Sequence, residues 1–557
     1  MAPHKKVESL GVLTNKFVSK QLASLCRGID KADTGKEWPT NKTWKSSGSG
    51  DSRSVLQTLV SDLPAVLVDP LLHTTVSLLL KPETEFRYWG RHAPAPGLHV
   101  ALRLLPQAST SSLELGSLFT GARLSRDTNN LCRAALVASL ARTSNLTKLV
   151  LSSKASNDIL EVVGKFCSLL SELHISMSEL VTDSGLASLV PSVSRPYSPV
   201  EDVKAESGDT ETESWCENPG CPRLVIIDLT KCWNVSPSGA KTLLLGLRNL
   251  RKLIYSNMKC ILEGLVQEDV PMKPFERIEY FDSSEYRLIT DISMETDIPE
   301  NDPAKWVTGP VRLSAIPKMF PNVTILKMML SDPEVAHLTE IPRLVHLELE
   351  FSDDPGPGLQ TLLDSHPNIA NFVLLFLQVG PIQASHLVSI GKNCVSLTFL
   401  RIIGFQIENG SQLKPSNKYF KSLNQLWLSF YDDTYEDSDD EENPGANVSR
   451  HTPEMIEFFL ASDVSNLKIV NIHMNVNHFL NDDYLHKLLG DCRLGRVTRL
   501  SLSGPDDLNI SMEAVRWIMD TLPSVQSLSA RKWKLTQKQI KILLREAQEN
   551  NIDMSFD

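Results

Sequence analysis

The sequence predicts an α/β solenoid, a row of stacked strand-turn-helix units preceded by a small helical segment. Three observations predict it. The pattern apolar-x-x-apolar-x-apolar recurs along most of the chain, and in its best run the starting residues Leu344, Ile369, Leu397 and Leu423 lie 25, 28 and 26 residues apart. Inside one unit, Ile227, Asp228 and Leu229 alternate as a half-buried strand does, while Gly239 to Leu247 spaces its apolar residues as a helix does. Intervals longer than one unit are filled by polar, acidic sequence that cannot build a core.

A chain of 557 residues suffices for several ordinary domains or for one long repeat domain, since each repeat buries its apolar face on its neighbours. There are 67 Asp and Glu against 56 Lys and Arg, a net charge of -11, which argues against broad attraction to nucleic acid or to an anionic membrane. The most apolar stretch, Leu63 to Leu80, is interrupted by Asp69, Pro70 and His73, and the first residues hold no sustained apolar run. Neither a spanning helix nor a secretion signal is expected. Nine scattered cysteines predict reduced thiols rather than a disulfide framework, and hence a cytoplasmic protein, with the nucleus as a second site.

Taken in order, residues 1–80 form the helical segment, with helical periodicity over 1–30 and 54–80 and a linker over 33–54. Asp62 and Pro64 suit the cap and first turn of the second helix. Residues 81–140 hold an amino-terminal cap and the first irregular repeats. The regular solenoid spans 141–535, with repeats starting at Leu146, Leu170, Leu224, Leu250, Ile278, Val323, Leu344, Ile369, Leu397, Leu423, Leu467, Val497 and Val525. Insertions interrupt it at 191–220, 283–312 and 431–447, the last holding a dense acidic run. Residues 536–557 are expected to be a carboxy-terminal helical cap.

This recurrence resembles the leucine-rich repeat. The spacing near 26, with Cys232 shortly after a strand, resembles the cysteine-containing subclass found in F-box receptors. "VTDSGLASL", Val181 to Leu189, also resembles that subclass, and Thr182 or Asp183 is placed to cap the helix that follows. At the amino terminus, a Leu-Pro pair opening an apolar helix ahead of such repeats resembles the F-box or cullin-box segment of ubiquitin-ligase substrate receptors. That resemblance implies an adaptor-binding face of Leu63, Pro64, Leu67 and Leu71. Ser19 to Ile29 also resembles an elongin-binding box, through Leu22 and Cys26. The competing reading is that both helices only cover the apolar edge of the first repeat.

Several chemistries are absent from the sequence. It contains no G-x-x-x-x-G-K-[ST], no H-E-x-x-H and no G-x-S-x-G, so neither a phosphate loop, a zincin helix nor a nucleophile elbow is expected. Cys216 and Cys221 could supply two zinc ligands, but no second pair follows nearby. The expectation is a protein without catalytic residues, metal or cofactor.

Period-two alternation then locates the binding surface. If pattern positions 1, 4 and 6 point inward, positions 3, 5 and 7 face the concave side. These are His346, Glu348 and Glu350, then Asn371, Val373 and Leu375, then Phe399, Arg401 and Ile403, then Gln425, Trp427 and Ser429. The predicted partner-binding residues are His346, Glu348, Val373, Leu375, Phe399, Arg401, Ile403 and Trp427, because apolar, aromatic and Arg side chains at nominally exposed positions mark interaction surfaces. Earlier repeats carry small or polar residues there, such as Lys148, Ser152, Glu172 and Ser176. The expected function is protein recognition on the concave face, without nucleic acid or membrane. The resemblance implies a substrate receptor of a cullin-RING ubiquitin ligase, with a cullin adaptor at the amino terminus. The alternative is a scaffold or a regulator of a GTPase, similar to the Ran GTPase-activating family, whose catalytic Arg loop has no match here.

Overall fold

The structure, a computed structural model, describes residues 10–33, 58, 65–80, 97–116, 126–192, 219–267, 274–283 and 313–556, the last apart from 331–333, 352–355, 377–381, 405–406, 409, 417, 431–451, 463, 475–479, 491–493 and 509. Their contacts divide into two compact units, one within residues 10–267 and one within 274–556.

The first unit opens with three helices, α1 (Leu10–Asp33), α2 (Ala65–Leu80) and α3 (Leu98–Leu104). They pack on one another, and α2 also packs on the first strand. Five strands follow, β1 (Ser112–Glu114), β2 (Lys148–Val150), β3 (Glu172–His174), β4 (Ile226–Asp228) and β5 (Lys252–Ile254), paired in parallel and in chain order. The helices α4 (Arg126–Leu140), α5 (Asn157–Phe166), α6 (Asp183–Ala187) and α7 (Pro237–Gly246) connect or follow them, as parallel neighbours require, and α8 (Met258–Gln267) closes the unit.

The second unit repeats the plan on longer strands. Its main sheet runs β6 (Tyr280–Ser283), β7 (Ile325–Leu330), β8 (His346–Phe351), β9 (Asn371–Phe376), β11 (Phe399–Gly404), β13 (Gln425–Phe430), β14 (Ile469–Met474), β15 (Arg499–Leu508), β16 (Ser527–Trp533) and β17 (Asp553–Ser555), again parallel. A two-stranded pair, β10 (Ile382–Gln383) with β12 (Ile407–Glu408), lies outside it. The carboxy-terminal stretch is a helix followed by β17, so it adds a strand to the sheet and is not purely helical.

The apolar pattern is the core. Leu344, Leu347 and Leu349 are buried, and so are Ile369, Phe372 and Leu374, Leu397, Leu400 and Ile402, and Leu423, Leu426 and Leu428. Registry places like on like, Leu347 beside Phe372, Phe372 beside Leu400 and Leu400 beside Leu426. Each repeat therefore sets its inward face beside the matching positions of its neighbours. Each of the two units is a row of strand-and-helix repeats on the leucine-rich-repeat plan.

Two polar ladders hold the turns ahead of the strands. Hydroxyls at pattern position 2 donate to the preceding repeat, Thr147 to Ser111 O at 2.9 Å, Ser171 to Thr147 O at 2.9 Å and Thr398 to Ala370 O at 3.0 Å. Asparagines just before position 1 do likewise, Asn249 to Pro222 O at 2.8 Å and Asn466 to Lys421 O at 2.8 Å. They satisfy carbonyls that the short strands leave over.

Helix starts are linked across repeats rather than capped singly. Thr182 or Asp183 was expected to cap α6, but Thr182, its N-cap residue, makes no side-chain cap hydrogen bond, and Asp183 serves the next helix start. It accepts from the amide of Ser236 at 2.8 Å and its hydroxyl at 2.5 Å, while Ser236 caps α7 by accepting from Gly239 N. Asp482 repeats the device, accepting from Ser511 N at 2.9 Å.

Candidate protein-binding face

Two surfaces were predicted as sites, and the structure treats them differently. The amino-terminal one lies on α2. Leu63 and Pro64 fall outside the described residues. Leu67 is 46% exposed, but Leu71 is 5% exposed and turned into the helical packing. Of the two that are described, Leu67 is presented and Leu71 belongs to the core that α2 makes with its neighbours. Leu22 and Cys26 of the box-like segment are buried as well. Gly97, at φ +81°, lets the start of α3 approach the backbone of Cys26 so closely that a Cβ would stand 2.6 Å from its carbonyl carbon. Asn15 Nδ2 donates to Thr74 Oγ1 at 3.4 Å and Arg27 to Leu78 O at 3.2 Å, joining α1 to α2.

The second surface is the open face of the sheet in the second unit. In β11 and β13 the alternation is clean, with inward residues buried and outward ones half-buried or exposed. Registry sets pattern position 5 in a row: Lys327, Glu348, Val373, Arg401, Trp427, Asn471 and Ser501. Position 7 continues from Glu350 through Leu375, Ile403, Ser429 and His473 to Ser503.

The row changes character along the sheet. At the β7–β8 end, Lys327 Nζ lies 2.7 Å from Glu348 Oε2, and His346 Nε2 lies 4.0 Å from the same oxygen. Glu348 is only 8% exposed and Val373 6%, so these two predicted contact residues offer little free surface. The half-buried middle is Leu375, Phe399, Ile403 and Trp427, with Arg401 exposed among them. The Arg401 guanidinium carbon sits 6.0 Å from the Trp427 ring centre, within the range of a cation–π contact. Beyond Trp427 the face turns polar, and His473 Nδ1 lies 2.6 Å from Ser503 Oγ.

Of the predicted residues, Leu375, Phe399, Arg401, Ile403 and Trp427 thus gather on three adjacent strands, whereas His346 and Glu348 sit in a charge-paired region beside Lys327. Lys327, Asn471, His473 and Ser501 were missed. The same positional rule, applied to the starts Val323, Leu467 and Val497, finds them.

The open face of the first unit is a charge ladder. Lys148 Nζ lies 2.7 Å from Glu114 and 3.8 Å from Glu172, and His174 lies 3.9 Å from Glu172 and 3.6 Å from Asp228. Burial alone would raise the Asp228 pKa, but hydrogen bonds from His174 and Thr230 outweigh it and hold the carboxyl below its ordinary value. Val150, Ile226 and Ile254 stand half-buried among these charges, and none of the described strand positions on this face carries a Phe, Tyr or Trp side chain.

Of the described cysteines, Cys26, Cys132, Cys167, Cys221, Cys232 and Cys394 are buried. Cys232 Sγ donates to Ile175 O at 3.1 Å, and Cys221 Sγ lies 3.6 Å from both Val163 O and Cys167 O. Burial pushes the thiol pKa to about 12 at Cys221 and about 11 at Cys232. Cys216 falls outside the described residues. Among the described residues, no group of three His, Cys, Asp or Glu side chains is arranged to hold a metal, and no helix is long and apolar enough to cross a membrane.

No family model matches the chain, and no curated protein matches it either. Solved structures do. The leucine-rich-repeat-containing protein LegL7 of Legionella pneumophila is 12% identical over 67% of this chain and 86% of its own, with a TM-score of 0.29. TLR13, in a complex with the single-stranded RNA ssRNA13, is 13% identical over 82% of this chain and 62% of its own, also at 0.29. A Bacteroides fragilis protein is 14% identical over 46% of this chain and 71% of its own, again at 0.29.

Proposed function

We propose that the chain is a non-catalytic protein-binding scaffold whose partner docks on the open face of the second unit, across Leu375, Phe399, Arg401, Ile403 and Trp427. One observation carries this reading. Half-buried apolar and aromatic side chains stand together on a sheet face whose opposite side already supplies the core. A sheet needs only one apolar face to fold, so an apolar group on the other calls for a partner. Trp and Arg are also the residue types that dominate binding energy at interfaces.

The finer reading, a substrate receptor of a cullin-RING ligase, depends on an adaptor reaching the amino-terminal helices. Only Leu67 of the described adaptor-face residues is open to one, and the burial of Leu71, Leu22 and Cys26 favours the capping role. A scaffold or GTPase regulator without a ligase connection uses the same open face equally well.

A photo-crosslinking amino acid placed at Ile403 tests the docking site in cells. It should capture a discrete protein, whereas the same group at exposed Lys392, on the helix Ala384–Asn393, should not. Equal capture from both positions would remove the open face as the docking surface.

A further inference from the structure

The structure assigns a chemistry to the segment that docks: we infer that it is an extended acidic peptide, with a carboxylate within two residues of an aromatic or branched aliphatic side chain. The inference rests on the docking reading above and adds the partner's charge to it.

The argument begins with Arg401. It is exposed at the centre of the open face, flanked in register by Val373 on β9 and Trp427 on β13, neither of which carries charge. Its guanidinium meets the Trp427 ring and, among the described residues, no carboxylate. The nearest acid in the same row, Glu348, lies two strands away and is matched at 2.7 Å by Lys327. Arg401 thus offers the donors of its planar fork with no described acid beside it, as exposed Arg499 does three strands away on the same face, inside a chain whose net charge is -11. A partner carboxylate would gain a charge-assisted bidentate contact there, and the rest of the molecule supplies no general attraction to anions that would blur the preference.

Spacing sets the neighbours of that carboxylate. Phe399 and Ile403 stand two residues to either side of Arg401 on the same strand, about 7 Å away along it, and Trp427 stands one strand over, about 5 Å away. An extended peptide advances by a similar step per two residues, so an acid seated on Arg401 brings side chains one or two positions away over Phe399, Ile403 and Trp427. A short apolar segment without an acid would leave the guanidinium half-covered and desolvated without an acceptor, which is unfavourable.

The test is selection from a random nonapeptide display library on the wild-type chain, Arg401→Gln, Arg401→Glu and Phe399→Ala. Arg401 is exposed, so its replacement should leave the melting temperature unchanged. Wild type should enrich peptides with Asp or Glu within two positions of an aromatic or branched residue. Arg401→Gln should weaken the best of these about tenfold, the usual effect of losing one charge-assisted contact, and Arg401→Glu should select basic residues instead. Peptides that depend on Phe399 but show no acidic preference would overturn the inference and leave the docking reading standing. No Phe399-dependent peptide at all would overturn both. Acidic enrichment that appears only after deletion of Asp432 to Asn447 would overturn it too, by giving the face to the chain's own acidic run.

Discussion

Asp69 Oδ2 accepts a hydrogen bond from the amide of Ser112 at 3.1 Å and from the hydroxyl of Ser111 at 2.9 Å, so helix α2 satisfies the outer edge of strand β1. An uncovered edge strand is a template for unwanted pairing, and an uncovered first repeat exposes its apolar side to water. The relationship makes α2 a structural part of the first unit.

Its packing predicts unequal costs along α2. Leu71→Ala should destabilise the chain by about 2–5 kcal/mol, the range for truncating a buried Leu, while Leu67→Ala should cost less than about 0.5 kcal/mol. Urea denaturation followed by circular dichroism would show this. Equal, small effects would mean that α2 is held loosely and is available to an adaptor.

The repeat register is tested on β8. Leu347→Asp places a carboxylate in the core and removes a Leu, so it should unfold the second unit or lower its stability by at least about 4 kcal/mol. Glu348→Ala on the other face looks harmless from alternation alone. The structure changes that expectation: Glu348 is buried against Lys327, so its loss removes a short ion pair from a largely buried site and should cost about 1–3 kcal/mol. Exposed Val345→Ala should leave the melting temperature within a degree or two.

Strand positions were legible in the sequence because a buried face in period two leaves an unambiguous mark, and Leu347, Phe372, Leu400 and Leu426 all fall where that mark puts them. Outward residues were harder to read. Alternation says which side Glu348 and Val373 occupy, but their burial depends on neighbours brought alongside by registry, far apart in sequence. Asp183 shows the same limit, since its bond to Ser236 spans 53 residues and no local capping rule anticipates it. The burial of Leu71 is hard to read for a related reason. An apolar helix face that meets an adaptor and one that meets α1 and α3 have the same composition.

The first unit should lose stability in acid through Asp228. Its folded-state pKa is below the unfolded value, so its contribution is fully present above the unfolded pKa, about 4, and is lost as pH falls through the folded pKa. Denaturation free energies measured between pH 6 and pH 3 should fall toward acid, and Asp228→Asn should flatten part of that slope. An unchanged slope in the variant would place the acid sensitivity elsewhere.

The central claim is that the apolar group on the open face of the second unit is the binding surface. The most direct measurement is the affinity of the protein captured by crosslinking at Ile403, titrated against wild type, Trp427→Ala and Val395→Ala, with melting temperatures recorded for each. Val395 is exposed but lies outside the outward strand positions. The prediction is a loss of about 30-fold for Trp427→Ala, equivalent to about 2 kcal/mol at an interface hot spot, and less than about twofold for Val395→Ala. A folded Trp427→Ala that binds as tightly as wild type would contradict it.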